Sequence, residues 1–136
     1  MKIFLIRHAT PNWNRKDIPY DIFPGPLLTP RGEQEAQALA AFLASEGVGK
    51  LYHSPFARAA RTAQIISALN RIPCVEEPGL AEWRMQAETE IQVRRRMKAI
   101  FEQSLAEMAG MGSIGLVSHG GPIGVYCRSL ASTRTN

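Results

Sequence analysis

The sequence predicts an α/β fold, a three-layer sandwich in which a mostly parallel sheet is flanked by helices, in a single domain over residues 1–136. Three observations carry this. Four short apolar runs of strand character alternate with stretches of helical character, the order expected of a parallel sheet with helices on its faces. Two of the helical stretches open on a small hydroxyl residue followed by proline. A third holds a 3.6-residue apolar period over some twenty residues.

The elements follow in order. Ile3, Phe4, Leu5 and Ile6 form a strand that ends in Arg7 and His8 instead of turn residues. Two adjacent basic groups at the end of a buried strand either lie in water or meet something negative. Residues 9–28 are rich in Pro, Asn and Asp, follow no period, and read as a long loop. Thr29 and Pro30 give a helix start, Ala36, Leu39, Ala40 and Leu43 its apolar stripe, and Gly47 its stop. Lys50 to Ser54 is a short second strand. Ser54 and Pro55 repeat the cap-and-proline signature for a helix running to about Asn70, with Ala63, Ile66 and Leu69 among its apolar positions.

Residues 72–78, IPCVEEP, form a third strand, placed at an edge because prolines bracket it. From Thr89 to Ala109 one helical face carries Val93, Met97, Ile100, Phe101, Leu105 and Met108. SIGLVS is the fourth strand. His119, Gly120, Gly121 and Pro122 lead from it into a last short helix and a polar tail, ASTRTN.

Composition narrows the function classes. Apolar residues at 45% and charged residues at 21% are ordinary for a soluble globular chain long enough to bury a core. A net charge of +4 suits anionic substrates but is too diffuse for nucleic acid. Arg94, Arg95 and Arg96 read as a solvated face of the long helix, except where it wraps towards the core. Cys74 and Cys127 lack metal-ligand or redox spacing and read as small buried hydrophobes. The few apolar residues before Arg7 are too short for a secretory segment, and no run approaches membrane-span length. The cytoplasm is therefore the expected location, with no membrane partner.

In such a fold, ligands bind outside the carboxyl ends of the strands. The first strand delivers Arg7 and His8 there. The second delivers Ser54, with Arg58 and Arg61 in the opening turns of the following helix. The fourth delivers Ser118, His119, Gly120 and Gly121. Two histidines and up to three arginines thus converge on one rim from separated parts of the chain, and the charges ending the first strand face an anion site. His53 reads as structural. Arg61 either helps at the rim or faces solvent. Three histidines without carboxylate or thiolate spacing do not make a zinc site.

Taken in order, these residues resemble the phosphoglycerate-mutase-like branch of the histidine phosphatase superfamily. The family's Arg-His-Gly and following Trp-Asn are met by Arg7, His8 and Ala9 and by Trp13 and Asn14. Its Leu-Thr-x-x-Gly block is met by Leu28 to Gly32, with Gln34 and Ala36 after it. Its Ser-Pro-x-x-Arg-Ala-x-x-Thr-Ala is met in full by Ser54 to Ala63. Leu80 to Trp83 match a Leu-x-Glu-Trp-like segment, and Val117 to Gly121 match Val-Ser-His-Gly-Gly.

The resemblance implies phosphoryl transfer without a metal or other cofactor, because arginines and histidines supply the positive charge. His8 is then the nucleophile and becomes phosphohistidine. It must be neutral, and the neighbouring Arg7 and Arg58 disfavour its protonation while offering forked donors to phosphoryl oxygens. His119 donates to a non-bridging oxygen, and Asn14 and Gly120 join Arg7, Arg58 and His119 in binding the group. Glu82 is the general acid and then the base for water, with Glu88 as the alternative. The substrate is a small-molecule or protein phosphomonoester.

Three departures from the family are visible. Ala9 stands where glycine is usual. The stretch between Trp83 and Ser118 holds only a small cap, which argues for an open site and against a mutase. Relatives also continue past the last helix to a further strand, so the carboxyl-terminal part reads as shortened, its exposed sheet edge either covered in a homodimer or left bare. Two functional readings follow: a phosphatase acting through phosphohistidine, and a non-catalytic phospho-ligand binder or inactive relative.

Overall fold

Among the described residues, strands and helices alternate as β1 (Ile3–Arg7), α1 (Pro30–Ser45), β2 (Val48–His53), α2 (Ala57–Asn70), β3 (Cys74–Glu76), α3 (Glu90–Met111), β4 (Ser113–Ser118) and α4 (Gly120–Arg134). The structure, a computed structural model of the chain, describes residues 1–134. The polar tail therefore lies partly inside α4, which is longer than expected, and partly outside the described residues.

The sheet has the order β1-β4-β2-β3, and every pairing is parallel. β4 lies inside the sheet and is buried along its whole length, with Ile114, Leu116 and Val117 apolar between two buried serines. β3 is the edge strand its prolines announced. Connections β1–α1–β2 and β2–α2–β3 step one way along the sheet, and α3 returns the chain to insert β4.

Two cores result, one on each face. Ala40 and Leu43 of α1 and Ala59, Ala63 and Ile66 of α2 pack on Ile6, Val48, Leu51 and Val117. On the other face Val93, Met97 and Ile100 of α3 and Val125 and Tyr126 of α4 pack on Tyr52, Ile114 and Leu116. This is the expected three-layer α/β architecture.

Local chemistry explains the helix ends. Thr29 accepts from the Gly32 N–H at 3.0 Å with Pro30 behind it, and α3 opens with a reciprocal capping box between Thr89 and Gln92. Three expectations are corrected. Ser54 does not cap α2, whose first residue is Ala57 after Phe56; its Oγ is turned to the Phe56 N–H and to His119. Leu105 is exposed and Ser104 takes its place in the interior, because residue 104 lies within about 20° of Val93 around the helix and residue 105 about 120° away. Leu69 likewise faces solvent at the end of α2.

The register sets up the site. Arg7 pairs with Ser118 and His53 with Val117, so β1, β4 and β2 end level with one another. The ladder runs one residue further through His8 N–H to Ser118 O (3.1 Å) and Ser54 N–H to Val117 O (2.9 Å). His8, His119 and Ser54 thereby become neighbours. The long loop is clamped at its base, where Asn12 N–H meets Leu27 O and Thr29 N–H meets Thr10 O. No described helix is long and apolar enough to cross a membrane.

Candidate active site

His8 emerges from β1 into the wall of a cavity of about 260 Å³ and is almost fully buried. Its Nδ1 lies 2.8 Å from the carbonyl oxygen of Ala9. A carbonyl only accepts, so Nδ1 carries the proton and Nε2 keeps its lone pair. Burial pushes the His8 pKa down to about 4, the Ala9 hydrogen bond opposes that, and the charges of Arg58 and Arg7 push it down further. The neutral state expected from the arginines alone is thus owed mainly to burial.

The extra methyl of Ala9 is accommodated. It packs with Ala36 and Ile65 in a small apolar cluster, while its N–H donates to Thr62 Oγ1 at 3.0 Å. Thr62 in turn donates to the carbonyl of Arg58. One hydroxyl therefore ties the turn after β1 to the start of α2.

Arg58 is wholly buried and spans the site. Its Nε donates to His8 Nε2 at 3.2 Å, and one terminal nitrogen donates to both Tyr20 O and Glu82 Oε2 at 2.8 Å. The other terminal nitrogen, Nη1, is buried with no hydrogen-bond partner among the described residues. Burial lowers the Arg58 pKa and the Glu82 carboxylate opposes the effect. Nη1 lies against Gly25 of the long loop, where a Cβ would come within 2.5 Å of it, while Nε is the nitrogen turned to His8.

His119, fully buried, meets Ser54 Oγ through Nε2 at 2.8 Å. Its Nδ1 lies 3.3 Å from Glu82 Oε2 at an angle too poor for a hydrogen bond, and is the site's second orphaned polar atom. Burial first, then the Arg58 charge, hold its pKa down to about 2. Its ring stands 5.1 Å from that of His8 and 5.3 Å from Phe56.

Glu82 joins the cavity wall, with Oε1 accepting from the Trp83 N–H at 2.9 Å and Oε2 on Arg58. Arg7, Gly120 and Gly121 line it too. The last two begin α4, where Pro122 has no N–H and the Ile123 N–H goes to His119 O. The donors at this helix end are therefore the two glycine N–H groups, at a terminus that favours negative charge. Among the described residues no three His, Cys, Asp or Glu side chains gather as a metal site would require.

The structure thus brings together Arg7, His8, Arg58, Glu82, His119 and Gly120. Asn14 stands apart from them, exposed in the loop with its N–H on Asn12 Oδ1. Arg61 faces outward and grips Glu33 through both Nε and Nη2. Glu88 is tied to Arg96, which holds its carboxyl below the usual range, and it does not line the cavity. His53 is a structural residue, buried with Nδ1 on Ser54 O.

Sequence reasoning missed two residues. Tyr20 gives its carbonyl to Arg58 from inside an aperiodic loop that offers no pattern to read. Arg96 is no solvated residue: Nη1 donates to Gly79 O and Ala81 O, Nη2 to Glu82 O, and Nε to Glu88. Its position beside the apolar stripe, about 60° from Val93, was the available signal.

Comparison with known proteins agrees with this geometry. Residues 3–87 match the model of the histidine phosphatase superfamily (branch 1). Phosphoserine phosphatase 1 of Hydrogenobacter thermophilus is 32% identical over 85 residues, 60% of this chain and 38% of that protein. The probable phosphoglycerate mutase GpmB of Serratia proteamaculans is 29% identical over 85 residues, 62% of this chain and 39% of its own length. The match thus spans about two fifths of these relatives. In fold, the chain is similar to Bacillus stearothermophilus YhfR, with a TM-score of 0.83 at 19% identity over 97% of this chain and 81% of that one. With over half its length matched by that model, this chain belongs to the histidine phosphatase superfamily.

Proposed function

We propose that the protein is a metal-independent phosphomonoester hydrolase that acts through a phosphohistidine on His8. The observation that carries this is the locked tautomer: Nδ1 is held on Ala9 O, so Nε2 of a cavity-lining histidine keeps its lone pair, which accepts only from Arg58 Nε in the resting site. In the first step the Nε2–P bond forms as the P–O bond to the leaving alcohol breaks, and Glu82, in its acid form, gives that oxygen a proton. Arg7, Arg58, His119 and the amino end of α4 hold the charge on the phosphoryl oxygens. In the second step water attacks phosphorus, Glu82 takes its proton, and the N–P bond breaks to release inorganic phosphate.

Hydrolysis is favoured over transfer to a second alcohol because the mouth is open. Trp13 and Met85 at its rim are both exposed, which leaves the intermediate within reach of water. The test is turnover of an aryl phosphate in excess chelator, with rapid quench into alkaline denaturant to trap phosphohistidine. Turnover and label that both vanish in His8→Ala support the reading. A folded protein that binds phosphate without turnover would instead be the non-catalytic ligand binder.

A further inference from the structure

The cavity that holds the phosphoryl-binding groups has a rim of different chemistry. Trp13 and Tyr20 come to it from the long loop, and Trp83 and Met85 from the segment before α3. They are held in place. The Trp13 ring lies 5.6 Å from the Arg58 guanidinium and 6.3 Å from the Tyr20 ring. Tyr20 is fixed by its own carbonyl on Arg58, and the Trp83 indole N–H donates to Glu88 O at 3.1 Å. Yet Trp13 is 46%, Tyr20 47% and Met85 63% exposed, so their apolar surface is open to whatever sits in the cavity.

The charges complete the argument. Arg7 is the one arginine or lysine in the lining, and with Arg58 it is matched to a phosphoryl dianion. Glu82 is in the same lining. Of the further cations nearest in sequence, Arg15 is paired with Asp17 through two hydrogen bonds, and Lys16 and Arg84 are outside the lining. A substrate with a carboxylate on its alcohol half would bring a third negative charge beside Glu82 to a rim without a cation to receive it. An apolar, flat group would meet two indoles, a phenol and a thioether.

We propose that the site takes phosphomonoesters whose alcohol half is apolar, of aromatic size, and free of carboxylate. This rests on the phosphatase reading above. The experiment compares kcat/KM for 2-phenylethyl phosphate with that for phosphoserine and 3-phosphoglycerate, whose alkoxides are leaving groups no worse than phenylethoxide. In parallel, calorimetry compares binding of 3-phenylpropylphosphonate and 2-amino-4-phosphonobutanoate, which cannot be hydrolysed.

The expected result is a preference of about tenfold or more for the phenyl compound in both measurements. The Trp13→Ala variant narrows it, and Met85→Lys shifts it towards the carboxylates. Equal or better use of phosphoserine, with His8→Ala inactive on both esters, would overturn the inference and leave the phosphatase reading standing. Absence of turnover on every ester would overturn the phosphatase reading, and the phosphonate pair would still decide the preference. Equal binding of the two phosphonates then counts against it.

Discussion

The Nε of Arg58 donates to Nε2 of His8 over 3.2 Å, so in the resting site the guanidinium occupies the nitrogen that would attack phosphorus. The contact fixes the direction of the ring and adds to burial in disfavouring the imidazolium. On the proposed mechanism this contact would give way when a phosphoryl group enters and the guanidinium turns its donors to the phosphoryl oxygens. Lysine, a point charge without a fork, cannot hold His8, Tyr20 and Glu82 together.

Arg58→Lys is therefore expected to lower kcat by about 10²-fold to 10³-fold, the range for losing one preorganised donor to a developing charge. Arg58→Ala is expected to cost stability as well, about 3 kcal/mol, because it strands the Glu82 carboxylate. Steady-state kinetics and chemical denaturation read the two effects separately.

Acid acts on both histidines in the same direction. Between about pH 4 and the ordinary histidine value of 6.5, the unfolded chain binds a proton at position 8 and the folded protein does not. His119 behaves likewise down to about pH 2. Stability thus falls as pH falls, by about 1.4 kcal/mol per histidine between pH 7.5 and 5.5. Denaturation midpoints at those two values test this, and His8→Asn is expected to remove its share of the slope. The limb of kcat/KM governed by His8 should stay flat to near pH 4 and fall below it, where Nε2 takes up a proton.

Arg96 acts at a distance from the chemistry. It holds the carbonyls of Gly79, Ala81 and Glu82 and the carboxylate of Glu88. Arg96→Met frees the segment that aims Glu82. A displacement of about 1 Å there is expected to cost about 10²-fold in kcat. Binding of inorganic phosphate, proposed above to rest on Arg7, Arg58 and His119, should weaken much less. Equal losses in both would mean that Arg96 supports the fold alone.

Gly32 shows how tightly the long loop is seated. A Cβ at this position would lie 2.2 Å from the carbonyl oxygen of Thr10. Gly32→Ala must push α1 and the loop apart, at an expected cost of about 2 kcal/mol, read as a fall in Tm of roughly 5–10 °C. Since the same loop carries Trp13, KM should rise with it.

The strand ends and helix starts were legible in the sequence because they rest on local chemistry. Thr29 with Pro30 marks α1, and the run from Val93 to Met108 marks α3. His8, Arg58 and His119 could be placed on one rim from element order alone, since a parallel sheet gathers its strand ends. Tyr20 could not, because its contribution is a backbone carbonyl delivered by loop conformation. Ser54 misled for a related reason: the signature of a helix cap and that of a side chain turned to His119 are the same residue followed by the same proline. Leu105 and Ser104 differ by one position in a stripe whose period is not a whole number. Strand order and register lay outside what pattern could give, and they decide how close the two histidines stand.

β4 enters the sheet between β1 and β2, although it follows them in the chain by the length of two helices and more. Until it arrives, β1 has no strand to pair with, for Ile3 through Arg7 meet only Ile114 through Ser118. β1 therefore stays apolar and unpaired until β4 has been made. Such long-range closure makes for slow folding. It also means that His8 and His119 become neighbours in the same event that completes the sheet.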